Sequence, residues 1–116
     1  MVEAGVSVVM PCYSEARLDS IRAALESLRR QTLQPAQVIV AVDNCAALAS
    51  TIEDEFDWAT VVLNTAERGA SATRNRGAEA VDQPITAFLD DDEVADPDWL
   101  SELVVPFGDA DVVGTG

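Results

Sequence analysis

Apolar positions along the chain alternate between two patterns. Short unbroken runs occur at residues 6–10 (VSVVM), 37–42 (QVIVAV), 60–63 (TVVL) and 85–89 (ITAFL). Their length and β-branched content predict strands buried on both faces. A further run at residues 110–113 (ADVV) predicts a fifth strand. The intervening segments carry helical spacing. Leu18, Ile21, Leu25 and Leu28 form one apolar stripe behind Ser14, which suits an N-cap. Arg29 and Arg30 fall at the far end of that stripe, where the helix dipole favours cations. Pro35 is expected to close the connection to the second strand. Residues 46–56 predict a weaker helix and residues 69–81 a helix of small residues. Trp99, Leu100, Leu103 and Val104 predict a short helix capped by Asp96 or Asp98.

Strands alternating with helices predict an α/β fold, a Rossmann-like open and mostly parallel sheet with flanking helices. The 116 residues suffice for one domain with a core, and the chain shows no repeat, linker or low-complexity segment. In open α/β sheets ligands bind beyond the carboxyl ends of the strands. Four polar segments fall at that edge: Pro11-Cys12-Tyr13-Ser14-Glu15, Asp43-Asn44, the stretch after Leu63, and Asp90-Asp91-Asp92.

The three aspartates are the sharpest of these. Adjacent carboxylates raise one another's pKa unless a cation compensates, and a divalent metal does so while bridging to phosphate oxygens. The competing explanation is a solvated acidic loop; the position flush against a buried strand favours the metal. With no His and two Cys in the chain, a zinc site of the usual kind is nearly excluded, so a metal is expected to be held by oxygen, as Mg²⁺, Mn²⁺ or Ca²⁺ are.

Charge sharpens the picture. The chain carries 21 acids against 7 bases, a net charge of −14, and every base is Arg. Such a surface repels nucleic acid and anionic membranes, and a lysine-free acidic composition suggests adaptation to high salt. Residues 31–67 and 77–116 hold no base, yet Arg68, Arg74 and Arg76 crowd together around Gly69 and a predicted helix start. Arg68 and Arg74 there suit either a phosphate or ion pairs with neighbouring acids, whereas Arg76 is expected at the surface. Asp43 suits either a hydrogen bond to a ligand or a cap on the next helix. Tyr13 suits stacking on a base or packing under its loop, Glu15 a ligand contact or the helix N-terminus, and Trp99 the core. Cys12 and Cys45 are expected to be reduced.

The order VSVVMPCYSEA, VIVAVDN, ERGASATRNRGA and ITAFLDDDEVADPDWL resembles the family-two glycosyltransferases over nearly the whole chain. These have the GT-A fold, built around an Asp-X-Asp motif. The resemblance implies a nucleotide-sugar-binding domain over residues 1–116, belonging to a longer protein whose acceptor-binding half follows. It implies a turn of Pro11, Cys12, Tyr13 and Glu15 lining the nucleotide pocket, with Tyr13 beside the base. Asp43 would bond the uracil or other base, Arg68 and Arg74 would lie near the nucleotide or diphosphate, and Asp91 would face the ribose or sugar. Asp90 and Asp92 would hold Mg²⁺ or Mn²⁺, directly or through water. Ser14 stands where the family often has Asn, and Val42-Asp43-Asn44-Cys45 where it often has two acids and Gly-Ser.

The implied reaction is an inverting transfer of sugar from a nucleotide-diphosphate donor, UDP-linked by expectation, to a hydroxyl of a saccharide, lipid or protein acceptor. The family's general base lies downstream of the Asp-X-Asp loop, and no residue here is assigned to it. The chain alone is therefore expected to bind donor and turn over little. The alternative is a regulatory module of the same fold that binds nucleotide or metal without catalysis. A phosphotransfer domain of the receiver or haloacid-dehalogenase type needs a Lys that this chain lacks. No leader pattern and no apolar run of bilayer length occurs, so a cytoplasmic location is expected, with membrane contact only through a region beyond Gly116.

Overall fold

The computed structural model of the protein describes residues 2–66 and 69–104, with side chains from residue 5 onward. Its elements run β1 (Val2–Cys12), a 3₁₀ turn (Glu15–Arg17), α1 (Leu18–Arg29), β2 (Leu33–Asp43), α2 (Ala46–Glu55), β3 (Thr60–Asn64), α3 (Ala70–Ala78), β4 (Ile85–Phe88) and α4 (Trp99–Val104). The strands form one parallel sheet in the order β3-β2-β1-β4. The expected fifth strand lies outside the described residues.

Both faces of the central strands are buried, in β1 from Val6 and in β2 from Val38, as apolar runs require, whereas the edge strands β3 and β4 are mostly half-buried because each has a neighbour on one side alone. Val6, Val8, Met10 and Cys12 of β1 share one core with Val38, Val40 and Val42 of β2 and with the stripe Ile21, Ala24, Leu25 and Leu28 of α1. Leu48, Ile52 and Phe56 extend that core from the α2 segment, and Leu100 from α4. Trp99 packs against its edge. The alternate residues, Val9, Ile39 and Ala41, face α3. A Cβ added at Gly77 of α3 would lie 2.6 Å from the Val9 side chain and 3.1 Å from that of Ala41. Only a residue without a side chain lets this helix settle so close to the sheet.

Several boundaries differ from the expected ones. Pro35 does not end a connection; it lies within β2, paired with Ala4. The register of β1 against β2 slips between Ala4 and Ser7, and a proline without an N–H is tolerated beside such an irregularity. Ser14 is an N-cap, accepting a hydrogen bond from the Ala16 amide at 3.1 Å, but of a 3₁₀ turn that precedes α1. Asp98 does not cap α4 with its side chain, which accepts a hydrogen bond from the Thr32 hydroxyl at 2.9 Å.

The segment after the aspartates is pinned to α1. The Ser27 hydroxyl accepts from the Ala95 amide at 2.9 Å. Buried Gln31 donates to the Asp96 carbonyl at 2.6 Å and accepts from the Leu100 amide at 2.8 Å. A loop leaving β4 thus has fixed anchors on both sides. No helix among the described residues is long and apolar enough to cross a membrane.

Candidate functional site

The chain winds outward from β1 through β2 to β3, then returns to place β4 on the other side of β1. Strand order reverses between β1 and β4, and a crevice forms beyond the carboxyl ends of strands at such a reversal. There the segment after Cys12 meets the segment after Phe88. A cavity of about 340 Å³ lined by Arg74, Phe88, Asp90 and Glu93 opens at this place. A larger groove of about 550 Å³, lined by Arg29, Trp58 and the start of β2, lies at the opposite end of the strands; the site chemistry is not there.

The aspartates form a closed turn. The Glu93 amide donates to the Asp90 carbonyl at 3.1 Å, and the Glu93 carboxylate accepts from the Asp90 amide at 3.3 Å. Three adjacent carboxylates on one turn repel, and the geometry separates them. Asp90 is exposed and lies 3.6 Å from the Arg74 guanidinium, an ion pair longer than a hydrogen bond. Asp91 turns inward: its side chain is 2% exposed, and its Oδ1 accepts from Arg17 Nη1 at 2.9 Å. Asp91 Oδ2 is buried with no hydrogen-bond partner among the described residues. Asp92 is exposed. Burial pushes the Asp91 carboxyl above the ordinary range; the Arg17 hydrogen bond and charge pull it back, and Asp92 and Asp90 push it up again.

Among the described residues no three His, Cys, Asp or Glu side chains converge on one point. The donor set nonetheless fits a hard cation. Mg²⁺ is commonly held by one or two carboxylates, with water and substrate phosphates completing its shell, and Asp90 and Asp92 are two exposed carboxylates flanking one turn.

Facing this turn, Tyr13 is half-buried at the end of β1. Its hydroxyl is raised above the ordinary phenol range, chiefly by burial; Arg74 opposes the shift, and Asp91, Asp90 and Asp43 add to it. The ring therefore sits in the field of residues from all three neighbouring segments. Pro11 is buried and Glu15 exposed. The Cys12 thiol lies in the core, within 3.9 Å of the Met10 carbonyl, and burial followed by the Asp91 charge raises its pKa far above the usual thiol range. Any ligand contact of Cys12 is thus through its backbone. Both cysteines are free.

Asp43 is the hub of a second cluster. Its Oδ1 accepts from Asn44 Nδ2 at 2.7 Å and from Asn64 Nδ2 at 3.3 Å. Its Oδ2 accepts from the Gly69 amide at 3.3 Å. Asn64 also accepts from the Ala66 amide at 3.2 Å and reaches the buried Thr73 hydroxyl at 3.5 Å. Asp43 therefore supports the start of α3 rather than capping α2. Asn44 adopts φ 50°, a left-handed conformation that Asn tolerates better than most residues, as the chain turns out of β2. Gly69, at φ 126°, makes the corresponding turn into α3.

The fold thus brings together Tyr13, Arg74, Asp90, Asp91 and, through its charge on Tyr13, Asp43. Arg68 lies outside the described residues. Arg76 pairs with Glu79 at 3.5 Å, away from the cluster. Asn64 opens the polar stretch after Leu63 that the sequence places at this edge, while nothing in the sequence marks Arg17 or Thr73.

The sequence pattern of Glycosyl transferase family 2 matches residues 7–116. The glucosyl-dolichyl phosphate glucuronosyltransferase of Haloferax volcanii is 36% identical over 115 residues, covering 96% of this chain and 37% of that protein. The putative glycosyltransferase EpsH of Bacillus subtilis is 32% identical over 107 residues, covering 90% of this chain and 30% of that protein. The chain spans about a third of the length of the curated relatives it matches. The crystal structure of S. aureus TarS 1–349 in complex with UDP shares the fold, with a TM-score of 0.72 at 20% identity, covering 85% of this chain and 30% of that one. The same TarS fragment in complex with UDP-GlcNAc gives a TM-score of 0.68. With its family pattern matched from β1 to the last residue and the GT-A sheet in place, this chain belongs to glycosyl transferase family 2.

Proposed function

We propose that this chain binds a nucleoside-diphosphate sugar and that the protein containing it transfers the sugar, with inversion, to an acceptor hydroxyl. The observation that carries the reading is the aspartate turn at the β1/β4 crevice, with Arg17 and Arg74 on its flanks and Tyr13 opposite. The S. aureus relative in fold has been crystallised with UDP and with UDP-GlcNAc, which supports a UDP-linked donor.

In this reading Tyr13 lies beside the base and the Pro11–Glu15 turn lines the pocket. Asp43 accepts from the base while also accepting from Asn64 and the Gly69 amide. Arg74 faces the diphosphate, a role also proposed for Arg68, and Asp91 accepts a hydrogen bond from a hydroxyl of the ribose or sugar. Asp90 and Asp92 would hold Mg²⁺ or Mn²⁺, which supplies charge neutralisation for the departing diphosphate. Glu93 closes the aspartate turn, and the Asp96 carboxylate accepts from the Asp98 amide at 3.2 Å. Deprotonation of the acceptor is assigned to the region that follows in full-length relatives.

The test is titration calorimetry and thermal shift with UDP and GDP, each with and without Mn²⁺. UDP with Mn²⁺ should raise Tm, and at 100 times Kd the stabilisation is about 2.7 kcal/mol. The double substitution Asp90→Asn with Asp92→Asn should abolish the metal-dependent part. No shift with either nucleotide under any metal condition would overturn the reading.

A further inference from the structure

We infer that Arg17 is a positioning residue for the donor: it holds Asp91, and through Asp91 the aspartate turn, in the arrangement that receives the ligand. The inference rests on the donor-binding reading above and deepens it.

Arg17 and Asp91 are 74 positions apart in sequence, yet Nη1 lies 2.9 Å from Oδ1. Each end of this bridge belongs to one wall of the crevice. Arg17 closes the 3₁₀ turn that follows Tyr13; its amide donates to the Ser14 carbonyl at 3.1 Å, and Ser14 caps the same turn. Asp91 occupies a central position of the turn that follows β4. The pair therefore ties the carboxyl end of β1 to that of β4 at the point where strand order reverses.

Asp91 is also the buried member of the aspartates, with Oδ2 unpartnered among the described residues. A buried acceptor left without a donor is costly and signals a group that arrives from elsewhere. Arg17 occupies one oxygen and leaves the other for that group, an O–H or N–H of the ligand. Asp90 and Asp92 flank Asp91, so the direction in which Asp91 is held fixes where both neighbouring carboxylates point.

Arg17 is 51% exposed but Asp91 is 2% exposed, so removing Arg17 also leaves a buried carboxylate without its partner and lowers stability. Rescue by Lys and the coupling of the two positions, both read as UDP affinity of folded protein, separate a positioning role from a structural one.

The experiment measures UDP affinity in the presence of Mn²⁺ by calorimetry, alongside Tm, for the 116-residue chain and for Arg17→Gln, Arg17→Lys, Asp91→Asn and the double variant R17Q/D91N. Arg17→Gln should weaken UDP roughly tenfold, the equivalent of one charge-assisted hydrogen bond, at a temperature well below its own Tm. Asp91→Asn should weaken it at least as much. The double variant should be no worse than Asp91→Asn alone, because Arg17 acts through Asp91. Arg17→Lys should recover part of the loss, since one donor suffices for Oδ1. Unchanged affinity in Arg17→Gln overturns the inference. So do losses that multiply in the double variant, which would mean that Arg17 touches the ligand by itself, or a loss that only follows a collapse in Tm. Failure of the unsubstituted chain to bind UDP with Mn²⁺ defeats the donor-binding reading instead.

Discussion

Burying a carboxylate beside two others costs free energy, and Asp91 is buried next to Asp90 and Asp92 in sequence with one oxygen unpartnered among the described residues. Burial holds its pKa above that of an unfolded chain, so the folded state takes up a proton more readily than the unfolded state. The sign follows from linkage: ionised Asp91 subtracts from stability at neutral pH, and the penalty fades as pH falls through the folded pKa toward the ordinary carboxylate range. Asp91→Asn should therefore hold or raise the ligand-free Tm at pH 7–8 and remove this contribution to stabilisation on mild acidification. A Tm that drops well below that of the unsubstituted chain at pH 7–8 would contradict it. The aspartates were legible because they are adjacent and follow a strand. Arg17 was not, because it stands among the charges of the first helix and its partner is distant in sequence. Asp43 was legible as polar at a strand end, but its actual bonds go to Asn64 and Gly69, brought near only by the β2–β3 pairing.

At the scale of elements, α3 shows where hydrophobic pattern fails as a guide. It has no apolar stripe, and its buried residues are Thr73 and Gly77. What seats it is the absence of bulk: with no side chain at position 77, the helix axis approaches Val9 and Ala41 directly. Gly77→Ala gains helix propensity but drives a methyl into a packed sheet. Overpacking of this kind costs about 1–3 kcal/mol, more than the roughly 1 kcal/mol that propensity returns. A net loss of denaturant-derived stability is expected, and an unchanged or higher midpoint would show that α3 can lift away without cost. The central halves of β1 and β2 were legible as apolar runs, whereas their first halves were not. Pro35 reads as closing the connection before β2, and pairing of Gln34 with Glu3 and of Pro35 with Ala4 makes both strand. The α1 stripe was legible down to its residues, but the 3₁₀ turn that carries Arg17 has no periodicity of its own to detect.

Across the whole molecule the dominant quantity is the net charge of −14 on 116 residues. The described arginines are largely committed: Arg17 to Asp91, Arg22 to Glu55 and Asp19, Arg29 to Glu26, Arg74 to Asp90 and Arg76 to Glu79. The remaining acids repel one another over distances comparable with the molecule's 13.4 Å radius of gyration. At 0.1 M salt the screening length is about 10 Å, and at 1 M about 3 Å, so molar salt removes most of this long-range repulsion. The same salt weakens the exposed pairs, but each of those contributes at most about 1 kcal/mol in dilute salt. Many exposed pairs contribute nothing measurable, whereas the repulsion sums over every unpaired acid, so stability should rise with KCl. Relief of about 1 kcal/mol corresponds to a Tm increase of roughly 4–8 °C for a chain of this size. Thermal melts in 0.1 M and 2 M KCl, without nucleotide or divalent metal, test this directly. A flat or falling Tm would mean that the local arginine bridges, rather than the summed charge, set the electrostatic contribution to the fold.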